Sequence, residues 1–100
     1  MISYEDFLTN AEPEDIRVMN LLSQGQTISF EDSSEAEAMF QRIARLDGAG
    51  FVLRASRHYE RVDGVLWQRF EGLIDPVAAN YLARAASERV QLSREPLPEA

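Results

Sequence analysis

The chain has 100 residues, of which 45% are hydrophobic and 27% are charged, a composition typical of one globular domain rather than of a disordered segment. It contains no cysteine, which excludes disulfide bonds and thiolate chemistry. No stretch of the sequence approaches the roughly 18 apolar residues of a membrane span, and the first residues lack the pattern of a signal peptide. We therefore expect a cytoplasmic protein.

The net charge of −7 is distributed unevenly along the chain. Residues 1–37 hold nine acidic residues and one arginine, whereas residues 38–100 hold eight acidic residues and nine arginines. Such an acidic field repels nucleic acid and attracts basic surfaces. Helix capping and solubility are the alternative explanation. All ten cationic residues are arginines, which indicates a GC-rich coding genome of a bacterium or phage.

The first part of the chain predicts two helices, a strand and a third helix. Ser3 is expected to cap a short first helix, and Pro13 suits the first position of the second. Residues 27–30 alternate polar and apolar side chains, which predicts a strand. Ser34 and Glu37 fit a capping box for the helix that follows.

A β-hairpin is predicted next. Residues 51–61 and 65–74 have strand character, and Asp63–Gly64 between them is a strong two-residue turn signal. This turn would place Val62 opposite Val65 and would fix the register of the whole hairpin.

The period of two along the hairpin predicts a core face and a solvent face. The predicted core face holds Leu53, Ala55, Arg57, Tyr59, Leu66, Gln68, Phe70 and Ile74. The predicted solvent face holds Arg54, Ser56, His58, Glu60, Trp67, Arg69 and Glu71. The polar residues of the core face, Arg57 and Gln68, are expected to reach an edge of the sheet.

The end of the chain predicts a last helix and a tail. Asp75 and Pro76 are a cap and a first-turn proline. Residues 93–100, with two prolines, are predicted to form a flexible tail, which leaves 1–92 as a single α+β domain. The element order predicts a three-stranded antiparallel sheet of order 1-3-2 with helices on one face. This is an incomplete ferredoxin-like fold preceded by N-terminal helices.

The sequence offers no recognisable catalytic or metal-binding set. Ser56, His58 and Glu71 share one face, but a flat strand provides neither a strained turn for the serine nor oxyanion donors. The adjacent acidic pairs lie at predicted helix starts, where capping explains them. The prediction is therefore a protein that is not an enzyme and that requires no metal or cofactor.

Trp67 is the most informative residue, since tryptophan and arginine are enriched where proteins bind one another. With Arg54 and Arg69 it forms a candidate contact patch on the solvent face, unless the N-terminal helices cover that face. Nucleic-acid binding through this patch is disfavoured, because glutamates interleave with the one aromatic residue and the chain is acidic. The same face, or a sheet edge, would also serve a homodimer.

Parts of the chain resemble the RraB-like ribonuclease E inhibitors. The residues that carry the likeness are RVMNLL at 17–22, ISF at 28–30, SEAEA at 34–38 and GFV at 50–52. The likeness covers the region from Asp15 to Glu60, and the family's C-terminal Tyr-Asp-Gly-Trp type run has no counterpart after Val90. The resemblance implies a small acidic bacterial protein that binds an enzyme and restrains it.

Charge and resemblance predict a non-enzymatic inhibitor or adaptor for a basic, nucleic-acid-processing protein, of the anti-CRISPR, immunity or nuclease-regulator type. Acidic residues would steer association, and aromatic or arginine side chains would supply affinity. The predicted partner-binding residues are Glu31, Asp32, Glu35, Glu37, Arg54, Trp67 and Arg69. No direct contact with nucleic acid or membrane is expected. The alternative is a structural domain that acts as a homodimer.

Overall fold

The computed structural model describes the backbone of residues 3–94 and the side chains of residues 3–88. Four helices and three strands follow one another there: α1 (Tyr4–Asn10), α2 (Pro13–Ser23), β1 (Ile28–Glu31), α3 (Ser34–Gly48), β2 (Val52–Val62), β3 (Val65–Ile74) and α4 (Pro76–Arg94). The predicted α+β class, with N-terminal helices before the sheet, is confirmed. Helix α4 extends two residues into the predicted tail, whose remaining residues 95–100 lie outside the described part.

The three strands form one antiparallel sheet in the predicted order β1-β3-β2. Asp63 and Gly64 both adopt positive φ angles, 51° and 81°, as the central residues of a type I′ turn require. Val62 lies opposite Val65, and the predicted register holds from there back to Ser56. The turn therefore sets which side chains of β2 and β3 are neighbours.

A β-bulge interrupts β2 near its beginning. The register shifts by one residue between Leu53 and Ser56, and Arg54 adopts a φ of 52° within this interval. As a result, Val52 is fully buried, whereas Leu53 is 41% exposed. The prediction that Leu53 lies on the core face was wrong because it assumed an unbroken period of two.

All four helices contribute to one hydrophobic core on one side of the sheet. Phe7 of α1, Met19 of α2, Ile43 of α3 and Leu82 of α4 belong to one buried cluster with Phe70 of β3. Because these side chains cluster around the same strand residue, the helices cover one face of the sheet. The predicted one-sided arrangement is confirmed.

Two predictions for the core face need correction. Gln68 does not reach a sheet edge but is fully buried, and its Nε2 donates to Asp32 Oδ1 at 2.6 Å and to Glu37 Oε1 at 3.1 Å. Tyr59 lies on the helix side of the sheet but is 50% exposed. The hairpin thus extends past the region that the helices cover.

The start of α3 also differs from the prediction. Ser33, not Ser34, is the N-cap, and its Oγ accepts a hydrogen bond from the backbone N–H of Ala36. Glu37 makes no capping box, because with Ser33 as the N-cap the third helical position is Ala36. The carboxylate of Glu37 instead accepts hydrogen bonds from Arg57 and Gln68. The helix start is therefore tied to the sheet by this glutamate.

Helix α2 is joined to α3 through Asp15, which is fully buried. Its carboxylate accepts hydrogen bonds from Arg42, from Arg45 Nη2 at 2.6 Å and from the backbone N–H of Glu12 at 3.0 Å. Burial alone would raise the pKa of Asp15, but these hydrogen bonds outweigh it and hold the pKa below its ordinary value. The carboxylate is thus charged within the fold.

Candidate protein-binding surface

The face of the sheet opposite the helices is open, and we call it the open face. Strand β3 alternates so that Gln68 and Phe70 point into the core, which places Trp67 and Arg69 on the open face. Phe7 of α1 and Val18, Met19 and Leu22 of α2 belong to the core cluster on the other side. The alternative in which the N-terminal helices cover Trp67 is therefore wrong.

Trp67 lies between two glutamates on the open face. It is paired with Glu31 of β1 on one side and with Glu60 of β2 on the other. The tryptophan is half-buried, whereas both glutamates are exposed. An aromatic ring flanked by carboxylates suits a guanidinium, which can stack on the ring and pair with a carboxylate.

An acidic corner adjoins this tryptophan, where β1 ends and α3 begins. Glu31, Asp32 and Glu35 are exposed and line a shallow depression there. Among the described residues, neither Glu31 nor Glu35 has an ion-pair partner. We call Glu31, Glu35, Glu60 and Trp67 the acidic tryptophan surface. Asp32 is left out because its carboxylate accepts a hydrogen bond from the buried Gln68 on the helix side.

Arg69 is the cation next to this surface. It lies between Ser29 of β1 and His58 of β2. Its Nη1 donates to Ser29 Oγ at 3.1 Å, and its Nε forms an ion pair with Glu60. Arg69 therefore holds the carboxylate of Glu60 beside Trp67, a positioning role that the sequence pattern did not indicate.

Two predicted partner-binding residues stand apart from the surface. Glu37 is directed to the helix side, where it binds Arg57 and Gln68. Arg54 lies at the bulge, about five residues along the hairpin from Trp67, which corresponds to about 17 Å. The structure thus brings Glu31, Trp67 and Arg69 together on the open face. It places Asp32 and Glu35 at the adjoining corner, where Asp32 binds Gln68 on the helix side. Neither Glu37 nor Arg54 joins them.

Exposed apolar pairs lie at both ends of the open face, and none of their residues is among the predicted partner-binding residues. Val62 faces Val65 beside the turn, and Leu53 faces Leu73 beyond the bulge; all four are exposed. Exposed apolar side chains are typical of a binding surface where they adjoin one another. The Val62–Val65 pair adjoins Trp67, whereas the Leu53–Leu73 pair lies six residues along β3 from the tryptophan and is separate from it.

Ser56, His58 and Glu71 share the open face as expected, but they are not arranged as a catalytic set. Ser56 lies opposite Glu71, whereas His58 lies opposite Arg69. Glu71 accepts a hydrogen bond from Thr27 Oγ1 at 3.0 Å instead of orienting the histidine.

The described residues provide neither a cluster of metal ligands nor a membrane-spanning helix. They contain no group of three or more histidine, cysteine, aspartate and glutamate side chains placed to hold a metal ion. In the same residues, no helix is long and apolar enough to cross a bilayer.

Comparison of the chain with protein-family models, with curated proteins and with solved structures gave no significant match. The resemblance to the RraB-like ribonuclease E inhibitors therefore stays a prediction.

Proposed function

We propose that this chain is a non-enzymatic binding protein that docks onto a basic protein surface through the acidic tryptophan surface. The partner is a nucleic-acid-processing protein, which the docked chain inhibits or regulates. The observation that carries the proposal is the half-buried Trp67, held between Glu31 and Glu60 on a sheet face that the helices leave open. The resemblance to the RraB-like inhibitors implies the same class of partner.

The pairing of the acidic residues supports this choice of surface. Near the start of α2, Glu12 and Asp15 pair with Arg42, and Glu14 pairs with Arg17. Those carboxylates are already neutralised by the chain's own arginines. Glu31 and Glu35 lack such partners among the described residues, so their charge remains available to attract a basic protein over a distance.

Trp67 would supply affinity once the two proteins meet. Tryptophan and arginine dominate the binding energy of many interfaces. A partner arginine on this ring would find the carboxylate of Glu31 on one side and that of Glu60, which Arg69 already pairs, on the other. A surface that normally contacts nucleic-acid phosphates is rich in arginine and lysine. Such a surface therefore matches the acidic tryptophan surface in charge.

The test begins with a pull-down from bacterial lysate at low and high salt, followed by kinetics with the purified partner. The chain has one tryptophan, so its fluorescence reports directly on the open face. We expect the double variant Glu31→Arg/Glu35→Arg to bind at least ~10-fold more slowly at low salt, with the difference shrinking at high salt. Asp32 is left intact because it binds the buried Gln68.

The matched control is Glu5→Arg/Asp6→Arg, which makes the same change in net charge on exposed residues of α1, away from the open face. It should slow association much less. In addition, Trp67→Ala should weaken equilibrium binding by at least ~2 kcal/mol, about 30-fold. Equal association rates for the two double variants, or unchanged affinity for Trp67→Ala, would contradict the proposal.

A further inference from the structure

The outer edge of β2 forms a second surface, separate from the open face. Because β3 is the central strand, no described strand pairs with this edge. In a two-residue hairpin, Val62 and Val65 exchange backbone hydrogen bonds, and every second residue of β2 does the same with β3. The backbone N–H and C=O groups of Arg57, Tyr59 and Arg61 therefore point outward and are available to another strand.

A crevice runs beside this edge on the helix side, between α3 and β2. Phe40, Ile43, Ala55 and Phe70 give it an apolar lining, and Asp47 and Arg57 also line it. The guanidinium of Arg57 lies 3.8 Å from the centre of the Phe40 ring. The crevice thus offers apolar surface with one acidic and one basic residue directly beside a free strand edge.

Tyr59 projects on the same side of the sheet as the crevice and is half exposed. Within its own chain, the guanidinium of Arg57 lies 5.5 Å from the tyrosine ring. An exposed aromatic side chain and a crevice with the Arg57 guanidinium at its wall lie on the same strand edge and are complementary features of one surface.

We propose that two copies of the chain pair antiparallel along the β2 edge, about a two-fold axis through His58, to form a six-stranded sheet. A two-fold axis normal to the sheet sets side chains of the same face opposite each other. Such an axis must therefore lie midway between the two copies of one residue, which faces itself across the interface. With the axis at Arg57, that arginine faces its own copy. With the axis at Tyr59, Arg57 faces Arg61 of the second copy. With the axis at Glu60 or at Arg61, that charged residue faces its own copy. With the axis at Ser56, the paired segment runs through the bulge at Arg54, which interrupts regular pairing.

An axis at His58 avoids these like-charge pairs. Arg57 then faces Tyr59 of the second copy, and Glu60 faces Ser56. Aromatic and guanidinium groups attract each other, and opposite like charges would be destabilising. The self-complementarity of the strand therefore selects one register.

This register also fills the crevice. Tyr59 of the second copy lies across from Arg57 on the helix side, where its ring would stack on the guanidinium that lies over Phe40. Arg61 of the second copy lies across from Ala55, next to the carboxylate of Asp47 that shares the crevice wall. The pairing leaves both acidic tryptophan surfaces uncovered on one side of the joint sheet, so the dimer does not rest on the proposed function.

The first test is a cross-link in a chain that has no native cysteine. At the axis, the two His58 residues form a non-hydrogen-bonded pair with Cα atoms about 4.5 Å apart, within the range of a disulfide bond. We expect His58→Cys to oxidise to a covalent dimer of twice the 11.3 kDa chain mass. Ser56→Cys, on the same face of the same strand, places its two sulfurs about 14 Å apart and should stay reduced. Equal cross-linking of both variants, or of neither, would overturn the proposed register.

The second test separates charge from size at Tyr59, with molar mass measured by light scattering. The wild-type chain should have twice its chain mass. Tyr59→Arg sets two arginines opposite each other and should halve that mass, whereas Tyr59→Glu sets a carboxylate opposite Arg57 of the second copy and should leave the dimer intact. A monomeric wild-type chain, a dimeric Tyr59→Arg variant or a monomeric Tyr59→Glu variant would each refute the pairing.

Discussion

At the scale of single residues, Asp15 shows a role that its sequence position conceals. Next to Pro13 and Glu14 it fits the common preference for acidic residues in the first turn of a helix. In the structure it is fully buried and holds Arg42 and Arg45, which lie 27 and 30 residues further along the chain. The local sequence pattern predicted that a helix starts here, but the two arginines that bind Asp15 are seen only in the folded structure.

We expect Asp15→Asn to lower the free energy of unfolding by about 3 kcal/mol at neutral pH, because it leaves two arginines beside a neutral buried group. Glu14→Gln is the matched control: it removes the neighbouring, exposed carboxylate that pairs with Arg17 and should cost less than about 1 kcal/mol. Urea unfolding of the two variants measures both values. A similar loss for both would contradict the role assigned to Asp15.

The same residue predicts a pH dependence. Because the folded-state pKa of Asp15 is lowered, its contribution to stability is complete above the unfolded pKa of about 4 and is lost as the pH falls through the lower folded value. The wild-type chain should therefore lose stability more steeply than Asp15→Asn below about pH 4. Urea midpoints measured across this range check the difference, and parallel curves would contradict it.

At the scale of elements, the sequence predicted the hairpin well and its bulge not at all. Alternation and the Asp63–Gly64 turn fixed the pairing from Ser56 to Val62. The missed signal was Gly72, since an isolated glycine within a strand often marks a bulge. A Cβ at Gly72 would lie 3.0 Å from Val52 Cγ1, so the glycine lets the bulged strand approach.

Arg54 carries the backbone strain of this bulge, with a φ of 52°. Since a side chain disfavours this conformation by about 1–2 kcal/mol, we expect Arg54→Gly to stabilise the fold by up to about 1 kcal/mol. Ser56→Gly, in the regular part of the strand, should instead destabilise it by about 0.5–1 kcal/mol. Thermal or urea unfolding compares the two. A loss of stability in Arg54→Gly would show that its side chain contributes more than its strain costs.

The candidate site was predictable in part for similar reasons. Alternation in the hairpin placed Trp67 and Arg69 on one face, and acidic composition drew attention to Glu31 and Glu35. Glu37 could not be assigned, because its direction depends on Gln68, a buried amide on a different strand. Distances between elements, rather than patterns within them, decide which acidic side chains remain free.

At the scale of the whole molecule, the helices near the two ends of the described chain pack against each other in one common core. The ring of Phe7 lies 5.1 Å from that of Phe51 and 5.4 Å from that of Tyr81. Tyr4 Oη donates to Glu88 at 2.9 Å, across 84 residues of sequence. Periodicity predicted each helix but could not say that α1 meets α4. The short first helix is therefore an integral part of the fold.

We expect Phe7→Ala to lower the free energy of unfolding by about 3–5 kcal/mol, since it removes a fully buried ring. Domains are stable by about 5–15 kcal/mol in total, so this loss would be a large fraction of the total free energy of unfolding. Leu8→Ala, at a neighbouring position that is 38% exposed, should cost less than about 1 kcal/mol. Equal losses would mean that α1 does not complete the core.

The bulge has a consequence for how the length of this chain can change through insertion and deletion. Arg54 is the extra residue of β2, so losing it would leave Leu53 and Val52 opposite Leu73 and Ile74, as they are now. Losing one residue between Ser56 and the turn would instead exchange every side chain beyond it between core and solvent. Position 54 is thus the place in this strand where one residue can be gained or lost without exchanging the core-facing and the solvent-facing side chains.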